Sequence, residues 1–358
     1  MRVAIIHHQF KLKGGMETYL LNLIKGFNDQ QDQVSIYVYK RNKIQEEPIC
    51  NVKKTNLFWL PRTLRKYWFG SHIHKQKRMQ FHDLRVSLMR SFHQEIIVCG
   101  GTHQGFVFNT QKKITLSDRL EIACEKKSYA TSLIVLAHSD QLKKELIELY
   151  SVPAYKILMV HPPINTEKFH QGFRDQKKRL RKKFNIHPEK KIILFPSTGH
   201  RRKGFFSLIA AFKQLPEAEF ELVIAGNKPH KNSCANINYV GFAEDMASLY
   251  SACDVTILPS LYEPFGLAVP ESLQCGTPVI ISKFVGAKDL ITEDEGIILA
   301  DITPATIANA ILEATSKQYN ITPHFAERNG LAIETHIQKL KQTFRDHSMK
   351  TADRKEAT

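Results

Sequence analysis

Two glutamates separated by seven residues form the strongest chemical motif of the chain, Glu263 and Glu271 in the run EPFGLAVPE. A short apolar strand ends before Glu263, and a helix carrying Glu271 is predicted to begin at Gly266. Phe265, Gly266 and Leu267 would present their N–H groups to a ligand, and these groups with the helix dipole favour an anion. The two carboxylates can accept hydrogen bonds from sugar hydroxyls. On the alternative interpretation, Glu271 only compensates the helix dipole.

Three adjacent cations lie in a glycine-flanked loop, in the run GHRRKG that precedes a predicted helix at Phe205. Arginine offers a planar fork to phosphate oxygens and lysine a compact positive charge. Arg202 and Lys203 together can therefore neutralise a diphosphate without a metal. The spacing of a Walker phosphate loop is absent, which argues against ATP hydrolysis. An ordinary basic surface turn is the alternative interpretation.

A glycine pair, Gly14 and Gly15, separates a first strand at Arg2–Ile6 from a helix at Met16–Phe27. Glycines at this position let the backbone approach a ligand closely. The pair is equally typical of a plain turn. No GxGxxG pattern occurs in the chain, and no acidic residue follows at the expected strand end, which argues against a nicotinamide-dependent enzyme.

The elements that must position these residues alternate between strand and helix in two series. The first series runs from Arg2–Ile6 to a strand at Ile157–Val160, and the second runs from Lys191–Phe195 to Pro278–Ile281. Strands separated by helices at this spacing form parallel sheets, whose ligands lie at the carboxyl ends of the strands. We therefore predict an α/β protein of two Rossmann-like, doubly wound domains that face each other across a cleft.

The predicted domain boundaries follow the same alternation. Residues 1–170 form the amino-terminal domain and residues 190–330 the carboxyl-terminal domain. The basic stretch 171–189 is the predicted linker, because it lacks a strong apolar periodicity. Residues 331–358 are expected to form a helix that packs back toward the amino-terminal domain and ends in a frayed tail.

The positive charge of the chain, a formal +16 at pH 7, is concentrated in residues 51–90 and 171–191. Five aromatic residues lie among the cations of the first segment: Trp59, Tyr67, Trp68, Phe69 and Phe81. Cations mixed with aromatic side chains suit docking to an anionic membrane surface, and ordinary solvated helix faces are the alternative. Nucleic acid is not an expected partner, because no nucleic-acid-binding motif accompanies the segment.

The cysteines and the apolar runs bear on localisation. Six cysteines lie far apart, with no CxxC pair among them: Cys50, Cys99, Cys124, Cys234, Cys253 and Cys275. They are interpreted as reduced thiols. The apolar run Val3–Ile6 is too short for a signal peptide, and no stretch reaches the ~18 apolar residues that a membrane span needs. We expect a cytoplasmic protein, attached peripherally to the inner face of the membrane if residues 51–90 bind lipid.

Several motifs taken together resemble one family, the family 4 glycosyltransferases, which are retaining enzymes of the GT-B fold. The segments that carry the resemblance are EPFGLAVPESLQCGTPVI, the loop GHRRKG, the amino-terminal GGMETYLLNLIKGF, and YATSLIVLAHSDQLKKELIELY followed by HPPINTEKF. The resemblance extends over nearly the whole chain and is weakest in residues 40–95. It is strongest with bacterial enzymes that build lipopolysaccharide core or similar surface glycans.

The resemblance implies a role for each candidate residue in binding a nucleotide-diphosphate sugar. Glu271 would bind the ribose hydroxyls, and Glu263 would lie against the donor sugar. The amides of Phe265, Gly266 and Leu267 would contact sugar and phosphate. The other implied donor-binding residues are Arg202 and Lys203 at the diphosphate, Gly14 and Gly15 against it from the other domain, and Val240, Gly241 and Phe242 beside the base.

The implied reaction is the retaining transfer of a hexosyl residue from a UDP-sugar to a surface glycan or lipid-linked acceptor such as lipopolysaccharide core. The implied catalytic residues are Arg202, Lys203, Glu263 and His103, and no covalent nucleophile is implied. His103 lies in a predicted glycine-rich loop and would stand near the transferred sugar. On the alternative interpretation, this histidine only caps the loop or forms local hydrogen bonds. Cations and amides would stabilise the leaving diphosphate, so neither a metal nor another cofactor is expected. Pro264 stands where the family commonly has glycine, which stiffens the turn.

Two other classes of protein remain open from the sequence. A GT-B epimerase or phosphorylase acting on sugar nucleotides would turn over its substrate without an acceptor, or would depend on phosphate. A non-catalytic membrane or nucleic-acid binder would have no use for the paired glutamates or for two strand-loop-helix series.

Overall fold

The computed structural model describes residues 1–10, 14–41, 50–228 and 236–356, and for 349–356 it describes the backbone alone. The chain divides into two compact units. The amino-terminal unit comprises Met1–Pro163 together with the chain from Leu331 onward, and the carboxyl-terminal unit comprises Ile164–Gly330.

A seven-stranded parallel sheet forms the centre of the amino-terminal unit. The strands of this unit are β1 (Arg2–Ile6), β2 (Gln9–Phe10), β3 (Gln33–Val38), β4 (Lys40–Arg41), β5 (Asn51–Lys54), β6 (Leu84–Ser87), β7 (Ile96–Cys99), β8 (Ile134–Ala137) and β9 (Ile157–Met159). The order in the sheet is β5-β3-β1-β6-β7-β8-β9, and β2 pairs separately with β4. Residues 3–6 of β1 are fully buried, as the continuous apolar run of a central parallel strand requires.

Helices connect these strands and begin at the carboxyl edge of the sheet. They are α1 (Gly15–Asp29), α2 (Arg65–His72), α3 (His103–Asn109), α4 (Leu116–Thr131) and α5 (Asp140–Tyr150). The side chains of Thr102, Thr115 and Ser139 accept hydrogen bonds from the first turns of α3, α4 and α5 respectively. Such caps satisfy N–H groups that have no partner inside a helix, and they explain where these three helices start.

A six-stranded parallel sheet forms the centre of the carboxyl-terminal unit. Its strands are β10 (Lys191–Ser197), β11 (Phe220–Gly226), β12 (Ile237–Gly241), β13 (Val255–Leu258), β14 (Val279–Ser282) and β15 (Gly296–Leu299), and its helices are α6 (Lys177–Lys183), α7 (Phe205–Phe212), α8 (Met246–Ala252), α9 (Ala268–Gln274), α10 (Pro304–Ser316) and α11 (Phe325–Arg328). The order is β12-β11-β10-β13-β14-β15. The chain adds β11 and β12 on one side of β10 and then β13 to β15 on the other side, so the strand order reverses between β10 and β13. Open α/β sheets bind ligands at such a position.

The last helix, α12 (Ile333–Glu356), belongs to the amino-terminal unit and packs against α1. The absence of a side chain at Gly26 leaves room for Ile333 and Ile337. The Tyr19 hydroxyl lies 2.7 Å from Nε2 of His336, and both side chains are buried. The helix therefore completes the core of the amino-terminal unit.

The basic segment 171–189 is not a linker, contrary to the prediction. It contains a 3-10 helix at Gln171–Gln176 and then α6, and it is part of the carboxyl-terminal unit. Leu180 is buried in the core of that unit, and the Arg181 guanidinium donates to the Asp254 carboxylate at 2.8 Å. The sequence hides this packing, because the few buried side chains of the segment, Leu180, Ile186 and the paired Arg181, are scattered among exposed cations.

Two other predicted boundaries also differ from the structure, whereas the parallel sheets of both units confirm the predicted α/β class. The units divide after Pro163 rather than after residue 170, because Phe169 packs in the core of the carboxyl-terminal unit. Helix α12 continues as far as Glu356, into the tail that the sequence predicts to be frayed. Residues of good helix propensity, such as methionine, lysine, alanine and arginine, account for this extension.

The structure bears on two predictions made from composition. Cys99, Cys124, Cys253 and Cys275 are free thiols, and Cys234 lies outside the described residues. Among the described helices, none combines the length and hydrophobicity that crossing a bilayer requires.

Candidate active site

Glu263 is held in place by its backbone. The residue follows β13, and its N–H donates to the carbonyl of Phe284 at 3.0 Å. Its own carbonyl accepts a hydrogen bond of 2.9 Å from the N–H of Gly286, so that Glu263 and Val285 form a parallel bridge. A carboxylate on such a strand extension has a well-defined position, as a catalytic or binding group requires.

The basic loop after β10 packs on the segment that leads to Glu263. The N–H of Leu261 donates to the carbonyl of Arg202 at 2.8 Å. Gly204, which precedes α7, has a φ of +77°, and a side chain at this position would collide with the carbonyl oxygen of Pro259. Only glycine satisfies both the left-handed backbone and the close approach. The loop and segment 259–263 therefore form a single packed substructure.

Arg202, Lys203 and Glu263 come together in one ion cluster. Oε2 of Glu263 lies 2.9 Å from Nη1 of Arg202 and 3.6 Å from Nζ of Lys203. The cations also bind backbone carbonyls, Arg202 that of Tyr262 at 2.6 Å and Lys203 that of Pro196 at 3.0 Å. Two cations against one carboxylate leave the cluster with a net positive charge, which suits an anionic ligand.

Burial and charge act in opposite directions within this ion cluster. Burial raises the pKa of Glu263, but the charges of Lys203 and Arg202 outweigh it and hold that pKa below its ordinary value. Burial lowers the pKa of Lys203, and the Glu263 carboxylate offsets part of this shift. The side chains of Glu263 and Lys203 are each only 13% exposed, so water screens their attraction weakly. Glu263 is therefore ionised at neutral pH.

The turn between the glutamates presents backbone N–H groups next to the ion cluster. Gly266 has a φ of +91°, a left-handed conformation that cannot belong to a helix, so α9 begins at Ala268 and not at Gly266 as predicted. Phe265 is buried, and its carbonyl accepts a hydrogen bond of 2.9 Å from the N–H of Ala287. The N–H groups of Gly266 and Leu267 make no hydrogen bond to any part of the chain that the structure describes.

Glu271 lies in α9 and is coupled to two residues that the motifs do not point to. The Tyr250 hydroxyl donates to Oε2 of Glu271 at 3.0 Å. Desolvation by the surrounding protein raises the pKa of Glu271 to about 7, against the Tyr250 hydrogen bond and the charges of Lys168 and Lys203. Interaction with Lys203 connects Glu271 to the ion cluster. Tyr250 and Lys168 carry no sequence signal, because no spacing rule links them to the glutamate pair.

The residues predicted to lie beside the base, Val240 and Gly241, form the end of β12. Gly241 has a φ of +75°, and a side chain there would meet nothing within 4 Å. The next residue, Phe242, is 47% exposed. An exposed aromatic ring at a strand end is suited to stacking. The role of these residues beside a base stays a prediction.

The glycine pair lies at the start of α1, as the sequence predicts. Gly14 precedes the helix with a φ of +118°, and Gly15 is its first residue. A side chain at Gly14 would touch the Glu17 carboxylate, and Met16 packs against Gly100, which follows β7. The pair therefore lies near the carboxyl end of β7 in the amino-terminal unit. Its contact with a diphosphate stays a prediction.

His103 is the first residue of α3, whereas the sequence suggests a glycine-rich loop at this point. Its Nε2 lies 2.8 Å from Oδ1 of Asp118, and its backbone N–H donates to the Glu125 carboxylate at 2.9 Å. The hydrogen bond from Lys112 is the main reason why the pKa of Asp118 lies well below its ordinary value. A carboxylate thus fixes the imidazole ring, and the role of His103 near a transferred sugar stays a prediction.

Metal-ligating side chains come together at one place in the described residues. One ligand atom from each of His7, His8 and Glu17 lies within 4.8 Å of the others. Nε2 of Gln9 donates to Oε1 of Glu17 at 3.0 Å. The group lies in the amino-terminal unit, where Glu17 adjoins the glycine pair. The sequence predicts that Arg202 and Lys203 neutralise the diphosphate without a metal. This expectation stays a prediction.

Solved glycosyltransferase structures share this architecture. WaaG, a glycosyltransferase involved in lipopolysaccharide biosynthesis, is similar over 94% of this chain and 98% of its own, with a TM-score of 0.81 and 16% identity. HepE of Anabaena in complex with UDP-glucose is similar over 97% of this chain and 100% of its own, with a TM-score of 0.76 and 16% identity. Likeness at this identity shows the fold, which is GT-B.

The sequence matches two family models that divide the chain between them. The model of glycosyltransferase family 4 matches residues 13–168, and the model of glycosyl transferases group 1 matches residues 176–330. A "probable transglycosylase" of Burkholderia thailandensis is 31% identical over 318 residues, which are 88% of this chain and 87% of that protein. The two family models and this relative define a glycosyltransferase. The chain belongs to family 4 of these enzymes, as the resemblance of its motifs predicts.

Proposed function

We propose that this enzyme transfers a hexosyl residue from a UDP-sugar to a cell-surface glycan or lipid-linked acceptor such as lipopolysaccharide core, with retention at the anomeric carbon. The ion cluster of Arg202, Lys203 and Glu263 carries this proposal. It lies on the loops after β10 and β13, where the strand order of the sheet reverses, and its net charge is positive. A diphosphate is the ligand that this position and this charge suit best.

In the proposed complex, each part of the donor has a partner in the carboxyl-terminal unit. Lys203 and Arg202 bind the diphosphate, with help from the N–H groups of Gly266 and Leu267. The ribose hydroxyls donate to the Glu271 carboxylate, and the transferred sugar lies against Glu263. The crystallised complex of HepE with UDP-glucose supports the choice of a UDP-sugar, and the role of WaaG in lipopolysaccharide biosynthesis supports the class of acceptor.

In the proposed reaction, one bond at the anomeric carbon breaks and another forms. The bond from this carbon to the β-phosphate oxygen breaks, and its electron pair leaves with UDP. The acceptor hydroxyl forms the new bond on the same face, and its proton passes to the leaving phosphate. Lys203 and Arg202 stabilise the negative charge that grows on UDP, and one such interaction is worth ~3 kcal/mol. The scheme uses neither a covalent nucleophile nor a metal.

We also propose that the enzyme attaches peripherally to the inner, anionic face of the membrane through its amino-terminal unit. In residues 51–90, Phe58 is 77% exposed, Trp59 is 55% exposed and Phe81 is 63% exposed. Phe69, by contrast, is fully buried and takes no part in a surface. The Tyr67 hydroxyl donates to Glu121 at 2.6 Å and so joins α2 to α4.

The segment 108–120 is a second apolar and basic stretch of this unit, followed by Glu121, which the hydrogen bond from Tyr67 joins to α2. Its exposed side chains are Phe108, Ile114, Leu116 and Leu120, and the cations Lys112, Lys113 and Arg119 lie among them. Exposed apolar side chains among cations are typical of proteins that bind an anionic lipid surface. Sedimentation with vesicles tests this proposal. Trp59→Ala should weaken binding to vesicles with phosphatidylglycerol, and Tyr155→Ala, which alters an exposed aromatic residue outside the surface, should not. Equal binding to neutral and anionic vesicles would contradict it.

A donor screen tests the proposed reaction. Thermal unfolding is measured with UDP, GDP and ADP and with their sugar conjugates, because only a ligand of the folded state raises the melting temperature. We expect UDP and one UDP-sugar to stabilise the enzyme, and the stabilising donor to react only when a glycan or lipid-linked acceptor is added. Turnover of the donor without any acceptor would indicate an epimerase or hydrolase instead.

A further inference from the structure

Tyr250 is a buried side chain whose single polar atom is directed at Glu271. The residue is 1% exposed and lies in α8, next to α9. Its hydroxyl donates to Oε2 of Glu271 at 3.0 Å. Burial raises the pKa of Tyr250 well above its ordinary value, so the hydroxyl keeps its proton at neutral pH and donates it to the ionised carboxylate.

The contact between Tyr250 and Glu271 is held rigidly from both sides. The hydroxyl of Thr277 donates to the carbonyl of Tyr250 at 2.8 Å. The carbonyl of Thr277 in turn accepts a hydrogen bond of 2.9 Å from the hydroxyl of Ser272, which lies in α9 beside Glu271. The ring of Tyr250 packs in the apolar core of the carboxyl-terminal unit. The hydroxyl is therefore fixed relative to the carboxylate by more than its own hydrogen bond.

This geometry divides the two oxygens of Glu271 between different tasks. Oε2 is occupied by Tyr250, and Oε1 accepts no hydrogen bond from the residues that the structure describes. Three other titratable groups face the carboxyl: Lys168 before α6, Lys203 in the basic loop and Cys275 at the end of α9. Nζ of Lys168 also donates to the carbonyl of Glu244 at 3.3 Å, which limits its approach to the carboxyl.

We propose that Tyr250 is a positioning residue that acts through Glu271, holding one oxygen of its carboxylate so that the other accepts the hydroxyls of a bound nucleotide. The inference rests on the proposed function, because it takes the ligand of Glu271 to be the ribose of the donor. It adds a requirement that the reaction itself does not impose: the carboxyl must be both oriented and ionised before the nucleotide binds.

A pH dependence of nucleotide binding follows from this arrangement. The pKa of Glu271 is raised by burial to about 7, so the carboxyl is protonated as the pH falls through neutrality. A protonated carboxyl loses acceptor capacity, and binding should weaken. The Tyr250 hydrogen bond stabilises the ionised form and works against this protonation. Its removal should therefore raise the pH at which binding weakens.

The test compares the binding of UDP by wild type and Tyr250→Phe in calorimetric titrations from pH 6 to pH 9. We expect the midpoint of the pH dependence to rise by about one pH unit in the variant. Binding at pH 6.5 should then be about eightfold weaker than in the wild type, and binding at pH 9 should agree within about twofold. Tyr319→Phe, which removes a hydroxyl from the same unit, is the matched control and should keep the wild-type midpoint. The titration of UDP itself is common to all proteins in the comparison.

Glu271→Gln separates a failure of this inference from a failure of the proposed function. If Tyr250 acts through Glu271, the double variant with Tyr250→Phe should bind UDP like Glu271→Gln alone at every pH. A Tyr250→Phe profile that keeps the wild-type midpoint, or that is weakened equally at every pH, would overturn the positioning role while leaving the site intact. Wild-type affinity in Glu271→Gln, or no nucleotide binding by the wild type, would overturn the proposed function and this inference with it.

Discussion

The guanidinium of Arg202 lies 2.9 Å from the carboxylate of Glu263. The cation proposed for the diphosphate and the acid proposed for the sugar are therefore already paired before a donor binds. A ligand that uses both must compete with this ion pair or share it. Because Lys203 also faces the same carboxylate oxygen, the pairing keeps an otherwise repulsive pair of cations together in a site of low exposure.

Glu263→Gln should separate nucleotide binding from sugar transfer. Removing the negative charge leaves Arg202 and Lys203 free to bind phosphate, so UDP should bind as tightly as before or more tightly. Transfer should fall by about 100-fold or more, because the sugar loses its charged partner. Calorimetry and turnover on the same preparation provide the measurement. Weaker UDP binding together with normal turnover would remove Glu263 from the assigned role.

Lys203→Ala should lower turnover much more than stability. Loss of the charge at the leaving phosphate should decrease turnover by about 100-fold or more. The free energy of unfolding should change by no more than about 2 kcal/mol, because Arg202 stays paired with Glu263. Lys213→Ala, at the exposed end of α7, is the matched control for removal of a lysine from the same region. Wild-type turnover in Lys203→Ala would exclude this residue from catalysis.

Gly204→Ala should unfold or displace the basic loop. The left-handed φ of +77° and the collision with the carbonyl of Pro259 act together, and we expect a loss of about 2 kcal/mol or more of stability. Gly199→Ala in the same loop is the control, because a side chain at Gly199 would meet nothing within 4 Å. Urea unfolding of both variants is the measurement. Equal stability of the two would contradict the described packing of the loop.

Two buried histidines should make the amino-terminal unit less stable in acid. Burial lowers the pKa of His138 to about 4 and that of His336 to about 3. An exposed histidine has a pKa of about 6.5, so the unfolded chain binds these protons first, and stability is lost as the pH falls from about 6.5 toward 4. His336→Gln should reduce the slope of unfolding free energy against pH by about 1.4 kcal/mol per pH unit. Urea unfolding at a series of pH values between pH 7 and pH 4 gives the unfolding free energies and therefore this slope.

The control for this prediction is His324→Gln, because His324 is an exposed residue of the carboxyl-terminal unit. Its replacement should leave the slope unchanged. A wild-type slope in His336→Gln would mean that burial in the core does not hold His336 neutral.

The strands could be predicted where the chain itself carries the signal. Buried parallel strands are continuous apolar runs, and the strand at Arg2–Ile6 has the predicted bounds. Strand β6 is absent from the prediction, because Arg85 interrupts its apolar run. In the fold, Nε of Arg85 donates to the Glu95 carboxylate at 2.8 Å, so the charge is satisfied by a residue ten positions away. The order of residue types along the chain does not show which charged side chains will pair in the fold.

The site could be predicted residue by residue but not as an assembly. Arg202, Lys203 and Glu263 are recognisable in separate motifs, and their contact arises because β10 and β13 are neighbours in the sheet. Tyr250 belongs to no recognisable motif. Its proposed role in positioning Glu271 follows only from the packing of α8 against α9. A tyrosine in an apolar helix is typical of a core residue, and only the position of its hydroxyl relates it to Glu271.

The most direct test of the central claim is a crystal structure of the enzyme with UDP bound. The account predicts that the β-phosphate lies within hydrogen-bond distance of Nζ of Lys203 and of the Arg202 guanidinium, and that the ribose hydroxyls contact the Glu271 carboxylate. A nucleotide bound at any place remote from Lys203 and Glu271 would contradict the account.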